Sequence, residues 1–359
     1  MIKTRFYLKS GRASLLALAS CILTSSPLFG LELERSSLTG LSPQGGFTAY
    51  QNQIHYWTAS DGYLIYDVTS AQTQTIGFPE NGVRSNGFGD AFGVYDSASN
   101  LFYAATLYGT SDSNIYAYNH STGSWNTSGP EGVTIVNAYG GKSQNGQLYI
   151  SGLAEPWNGS YGQDNYIFAY DHTATVGGED PRHDTLIQTA GNSADLAIAS
   201  NGDTYYASYS TNVLYKWSGD QIASVTDDLY APDAIDNFLT LADASETWTL
   251  PGSGNGLAVD EGGNVFFAVN DSMDFSHTLG MLDASAPNGY QVLASSSGYA
   301  DWYGSISVDG DFTEGDPLYF SPGWGSDLEQ LISIPEPSTL TLAFIVIVAG
   351  FIFKRKHQR

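Results

Sequence analysis

GNGLAVDEGGNVFFAVNDS, residues 254–272, carries two short apolar runs around one break. Leu257-Ala258-Val259 comes first and Val265-Phe266-Phe267-Ala268-Val269 second. Between them stands Asp260-Glu261-Gly262-Gly263-Asn264, rich in residues that accept positive φ in a tight hairpin. The second run is β-branched and aromatic, too short for a core helix and apolar at every position. That pattern describes a strand buried on both faces. One hairpin cannot bury two faces, so the same outline must recur elsewhere in the chain.

It recurs. GDAFGVYDSASNLFYAATLYG begins at Gly89, VNAYGGKSQNGQLYISGLAE at Val136 and SADLAIASNGDTYYASYSTNVLYKW at Ser193. Weaker copies begin at Gly46 (GFTAYQNQIHYWTASDGYLIYD) and Gly304 (GSISVDGDFTEGDPLYFSPGW). With Gly254 the six starts are 43, 47, 57, 61 and 50 residues apart. Asn-Gly at 145 and 201 and Gly-Gly at 262 occupy hairpin positions. Each unit then offers a third strand before a local breaker, as in Ile115–Asn119 and Ile167–Asp171. Three or four strands per unit of this length predict an all-β propeller of six blades over residues 31–333. Residues 31–45 are expected to complete the last blade. Insertions fall at 154–165, 174–185 and 227–245. A pair of β-sandwiches is the alternative architecture.

Composition supports strands and turns: 40 Gly, 24 Tyr and 13% aromatic residues, with only 14% charged. Four basic residues stand in the first twelve positions and four in the last six, leaving Arg35, Arg84, Lys142, Arg182 and Lys216 for the body. All 37 acidic residues lie between Glu32 and Glu336, so the body is near −32 although the chain is −24. Such a surface repels phosphate backbones, which excludes nucleic acid as a partner. The only cysteine, Cys21, lies outside the body, which therefore has neither a disulfide nor a thiol nucleophile.

The ends read as addresses. Residues 1–30 have a basic start, an apolar run from Ala13 to Leu23, then Pro27 and Gly30, the layout of a secretory signal peptide. Leu18-Ala19-Ser20-Cys21 also resembles a bacterial lipobox, in which Cys21 would be lipidated. At the other end, Pro335-Glu336-Pro337 precedes the apolar stretch Leu340–Phe353 and the basic Lys354-Arg355-Lys356. As a helix that stretch spans roughly 22 Å, enough for a membrane with snorkelling basic residues. The basic tail stays cytoplasmic and the body is placed outside. These three parts, residues 334–359, resemble the PEP-CTERM sorting signal. The resemblance implies an exosortase partner, removal of the helix after transient anchoring, and a Gram-negative cell surface, often in exopolysaccharide-producing, biofilm-forming bacteria. An ordinary tail anchor is the other reading.

The repeated Leu-Ala-x-Asp/Ser-x-x-Gly-Asn/Asp-x-aromatic-x-Ala core resembles NHL-type and gluconolactonase-type six-bladed propellers. Asp90, Asn137, Asp195 and Asn255 fall near the starts of four successive innermost strands. A ring of such oxygens suits a hard cation, and Ca2+ is the only cofactor considered. The gluconolactonase resemblance implies a channel metal in the same region. Against it, Asp and Asn at strand starts also bond the local backbone, and no Glu matches the first-strand ligand that resemblance expects. Trp157 and Trp324 lie near loop residues and are candidates for stacking on sugar rings. The body histidines show no metal-ligand spacing and are expected at solvated turns. Asp309-Gly310-Asp311 lacks the Glu that closes a calcium loop, which leaves a solvated turn. With no catalytic constellation, the expected function is non-enzymatic binding of polysaccharide or a surface protein. The alternative is an exported metal-dependent hydrolase or lactonase.

Overall fold

The computed structural model describes residues 32–334 except 44–45, 59, 80–91, 106–114, 127–135, 154–164, 171–182, 190–194, 209–210, 227–236, 272–274, 298–303 and 323–325. The signal peptide, Pro335–Pro337 and the predicted membrane stretch lie outside the described residues. Among those described, no helix is long and apolar enough to cross a membrane.

Six sheets, antiparallel but for one short parallel pairing in blade 3, follow one another along the chain. Strand β1 is Glu32–Leu38. Blade 1 is β2 Phe47–Tyr50, β3 Gln53–Thr58, β4 Gly62–Asp67 and β5 Gln72–Gly77. Blade 2 is β6 Phe92–Asp96, β7 Leu101–Ala105, β8 Ile115–Asn119 and β9 Ser124–Asn126. Blade 3 is β10 Val136–Gln144, β11 Gln147–Leu153, β12 Asn165–Tyr170 and β13 His183–Thr189. Blade 4 is β14 Leu196–Ile198, β15 Thr204–Ala207 and β16 Val213–Trp217, followed by helix α1 Gly219–Thr226, the two-residue β17 Leu239–Thr240, and β18 Glu246–Thr249. Blade 5 is β19 Ser253–Val259, β20 Val265–Asn270, β21 Ser276–Leu282 and β22 Tyr290–Ser297. Blade 6 is β23 Ile306–Val308, β24 Pro317–Phe320 and β25 Leu328–Ile334. The innermost strands begin within three residues of the six repeat starts read from the sequence.

Closure is by the N-terminal strand: blade 6 has the order β1-β25-β24-β23, with β1 outermost. Arg35 of β1 bonds Glu329 of β25, and its guanidinium stands 5.5 Å from the Phe320 ring. The Leu328 N–H donates to Leu41 O at 2.6 Å, and the Gly40 N–H to the Asp327 carboxylate at 2.8 Å. The first strand of the fold thereby ties the last blade to the first. A feature the repeat did not reveal is β17, which pairs parallel with β13 and adds a fifth strand to blade 3.

The hydrophobic cores lie between blades. Phe92, Val94 and Tyr103 of blade 2 pack with Leu148, Ile150 and Phe168 of blade 3. Leu196, Tyr206 and Trp217 of blade 4 pack with Ile167, Leu186 and Ile187 of blade 3. A blade between two neighbours buries both faces, so β20 is buried at every position while the outermost β5 is mostly exposed. This is why Val265–Val269 shows no polar alternation. The turns follow the predicted chemistry: Asn145 and Gly146 have φ of 53° and 83° in the two-residue turn between Gln144 and Gln147.

Candidate functional site

Each innermost strand starts on one face of the ring and ends in the turn to its second strand. Asp90, Trp157 and Trp324 lie outside the described residues, as do Pro335, Glu336, Pro337, Lys354, Arg355 and Lys356. Asn137 belongs to β10, but its side chain lies outside the description. Asp195 and Asn255 are placed: Asp195 stands just before β14, and Asn255 is a half-buried residue of β19.

The Asp195 carboxylate is buried at 8% exposure and already engaged. Its Oδ1 accepts the Leu196 N–H at 3.0 Å and its Oδ2 the Leu257 N–H at 3.2 Å. The Lys142 ammonium of β10 lies 3.4 Å from Oδ2. Burial pushes this carboxyl above its ordinary value, while the Lys142 charge and the two N–H groups pull the other way. A divalent ion needs several oxygens free to coordinate it. This carboxylate faces an ammonium, and among the described residues no three His, Cys, Asp or Glu side chains gather to hold a metal. Asp195 is thus held by two N–H groups and an ammonium, while Asp90 and the Asn137 side chain, two of the expected ring's four members, lie outside the description.

Several other polar side chains of the repeat bond the next blade. Thr48 Oγ1 accepts the Tyr95 N–H at 3.1 Å, and Ser307 Oγ the Ala49 N–H at 2.8 Å. The Asp309 carboxylate accepts the N–H groups of Gln51 and Asn52 at 2.9 and 2.8 Å. Both donor residues have positive φ, 50° and 61°, so Asp309 clamps the first hairpin of blade 1 from blade 6. Asp260 bonds Asn264 within its own turn and accepts the Phe312 N–H of blade 6 at 3.1 Å. Asp311 caps the short 3-10 turn that follows, accepting the Thr313 N–H at 2.9 Å. In blades 5 and 6 the turn residues Asp260 and Asp309 are clasps to the next blade.

A second polar group was not foreseen. The Tyr63 hydroxyl lies 2.6 Å from His55 Nδ1 and 2.8 Å from His120 Nε2, joining blade 1 to the last turn of blade 2. A phenol has one proton to donate, so one imidazole accepts from Tyr63 and the other donates to it. His55 is 2% exposed and stacks on Tyr95 with ring centroids 4.0 Å apart. Tyr63 stacks on Phe102 at 3.7 Å. Trp125 packs edge-on against Trp57, so it is a packing residue. His55 Nε2 finds no hydrogen-bond partner among the described residues. Burial, and then the neighbouring His120, depress the His55 pKa to about 3; burial also lowers that of His120. The expectation of solvated histidines fails for His55 and for the fully buried His277, which lies 2.7 Å from Asn270 Oδ1. Both sit in strands, not turns.

No protein-family model matches the chain, and no curated protein sequence matches it. Solved structures do match in shape. A luciferin-regenerating enzyme is 11% identical, with a TM-score of 0.52, covering 85% of this chain and 97% of that one. A putative oxidoreductase (glucose dehydrogenase) from Thermus thermophilus is 12% identical, with a TM-score of 0.50, covering 84% and 100%. A calcium-binding regucalcin from Agrobacterium tumefaciens matches at 12% identity and a TM-score of 0.47, covering 84% and 95%. At such identities the first two speak for the fold alone, and the chain is an all-β protein with a six-bladed propeller arrangement similar to theirs.

Proposed function

We propose that this chain is an exported binding propeller, delivered to the cell surface through its C-terminal sorting signal and without catalysis of its own. The observation that carries the reading is that blade 6 is complete within the described residues: β1 pairs with β25, and its four strands all come from Glu32–Ile334. Because β1 completes blade 6, the blades need no residue of the sorting signal. The signal can be cut away without opening the fold. Pro335 and Pro337 keep the junction extended and non-helical, a form an exosortase can bind beside the membrane. Expressed in an exosortase-bearing host, the mature chain should lack residues 340–359 by mass spectrometry. Retention of those residues in that host would overturn the sorting reading.

The second reading, an exported hydrolase or lactonase, is favoured by the fold: the two neighbours above are named as an enzyme and as a putative oxidoreductase. The purified protein separates the readings. Binding to neutral polysaccharide, weakened at least tenfold by Trp157→Ala or Trp324→Ala, is expected for a binding propeller. Metal-dependent turnover of simple lactones would establish the enzyme instead.

A further inference from the structure

The seam between blades 1 and 2 is held at two depths. At the innermost strands, the Gly93 N–H donates to the Gly46 carbonyl at 2.9 Å and the Tyr95 N–H to Thr48 Oγ1 at 3.1 Å. Farther out the seam is aromatic: Trp57 meets Trp125 edge-on and Tyr63 stacks on Phe102. The Tyr63 hydroxyl bridges this outer part, 2.6 Å from His55 Nδ1 and 2.8 Å from His120 Nε2.

The protons of this chain can be counted. Its two links need two protons, and the neutral groups supply them, one from the phenol and one from an imidazole. The links can run in either direction. If His120 donates, His55 must carry its own proton on Nε2, an atom without a hydrogen-bond partner in a residue 2% exposed. A bare buried N–H is rare and costly. If His55 donates from Nδ1, the enclosed Nε2 is an unfilled acceptor, the milder defect. Tyr63 then donates to His120 Nε2, and His120 keeps its proton on Nδ1. His120 stands in the turn after β8 and is only half-buried.

His120, the acceptor at the outer end, is therefore where a proton from solvent arrives. A third proton gives the chain three donors for two links. Either the phenol O–H loses its acceptor or His55 turns to its Nε2–H form, and both leave a buried donor unsatisfied. In the reverse direction His120 would take the proton on Nδ1 and no link would break. The titratable groups facing the chain are the phenols of Tyr63 on β4, Tyr95 on β6 and Tyr118 on β8. Asp96, beside Tyr95, is engaged by Ala98 and Ser99 in its own turn. No carboxylate pairs with either imidazole among the described residues.

We infer that His55, Tyr63 and His120 form a proton-operated latch: with His55 as donor and His120 as acceptor it closes the outer seam of blades 1 and 2, and one proton taken up at His120 releases it while the innermost strands stay bonded. The inference is independent of export and of sorting. Burial lowers the His120 pKa from its ordinary 6.5, so the latch is closed above that value and opens as pH falls through the lowered one.

Imidazole 15N spectra of the full chain at pH 7.5, assigned with His55→Gln and His120→Gln, should show both histidines protonated on Nδ1. A His55 protonated on Nε2 would overturn the inference. Amide exchange around Tyr63 and Trp125, corrected for its intrinsic pH dependence, should become roughly tenfold faster from pH 7.5 to 5 in the wild type. His120→Gln keeps an oxygen to accept from Tyr63 and cannot titrate, so its protection should hold. Unchanged protection in the wild type, or the same loss in His120→Gln, would also overturn the latch. If His120→Gln fails to fold, the wild type decides alone. Nδ1 protonation of His55 with a loss of protection confined to blades 1 and 2 upholds the latch. A loss spread evenly over all six blades overturns it, because general acid unfolding would then be the cause.

Discussion

Acidification from pH 6.5 to 4 is expected to remove about 3 kcal/mol of folding stability through His55 alone. In the unfolded chain this imidazole titrates at its ordinary 6.5, whereas in the fold it does so at about 3. Between these values the unfolded state holds a proton that the folded state refuses. The contribution is therefore complete above pH 6.5 and falls, as pH drops, by about 1.4 kcal/mol per unit until the folded pKa is reached. The refusal has a physical source. His55 is enclosed by Tyr63 and Tyr95 with His120 nearby, and an imidazolium there would lose its hydration. Asp195 and Asp260, raised by burial, act in the opposite sense. They are common to wild type and variant and cancel in the comparison. His55→Gln keeps an amide to meet the Tyr63 hydroxyl and cannot titrate. Urea unfolding at several pH values should give a wild-type slope steeper than that of His55→Gln by about 1 kcal/mol per unit between pH 6 and 4. Equal slopes would show that His55 accepts its proton in the fold.

The features legible in the sequence are those whose causes are local. A hairpin needs an apolar run, a turn that accepts positive φ and a second run within about a dozen residues. Asn145-Gly146 and Gly262-Gly263 supplied such turns. Closure was also legible, because a sixth unit with three strands leaves one edge unpaired and only the stretch before Gly46 remained to cover it. The clasps were less visible. Asp309 looked like a solvated turn residue, and the position it bonds in blade 1 is 258 residues away. Lys142 and Asp195 are on different blades, and nothing in either repeat marks the other as its partner. The His55-Tyr63-His120 chain joins residues 57 positions apart at its second step. A histidine in a strand buried on both faces carries no periodic signal, because the whole run is apolar around it. Polar pairing between blades is set by the rotation of one sheet onto the next, which a repeat alignment does not contain.

Substitution of Gly256 by alanine should cost about 3 kcal/mol, and by valine should prevent folding. Strand β19 runs between two blades and presents glycine to each. A Cβ on Gly254 would lie 2.4 Å from the Ala207 Cβ of blade 4. A Cβ on Gly256 would lie 2.2 Å from the Gly304 carbonyl oxygen at the entry to blade 6. The second obstacle is backbone, so no rotamer change relieves it; blade 6 must move, and blade 6 is tied to blade 1 through Asp309 and Ser307. Gly263 supplies the contrast. Its φ is +84° and nothing stands within 4 Å of a Cβ there, so Gly263→Ala should cost only about 1 kcal/mol, from backbone conformation alone. Urea midpoints of the two alanine variants at pH 7 compare close approach with positive φ directly. A Gly256→Ala protein as stable as Gly263→Ala would mean that the innermost strands of blades 5 and 6 can separate at little cost. The close approach of Gly256 to the Gly304 carbonyl would then be a consequence of the fold and not a requirement of it.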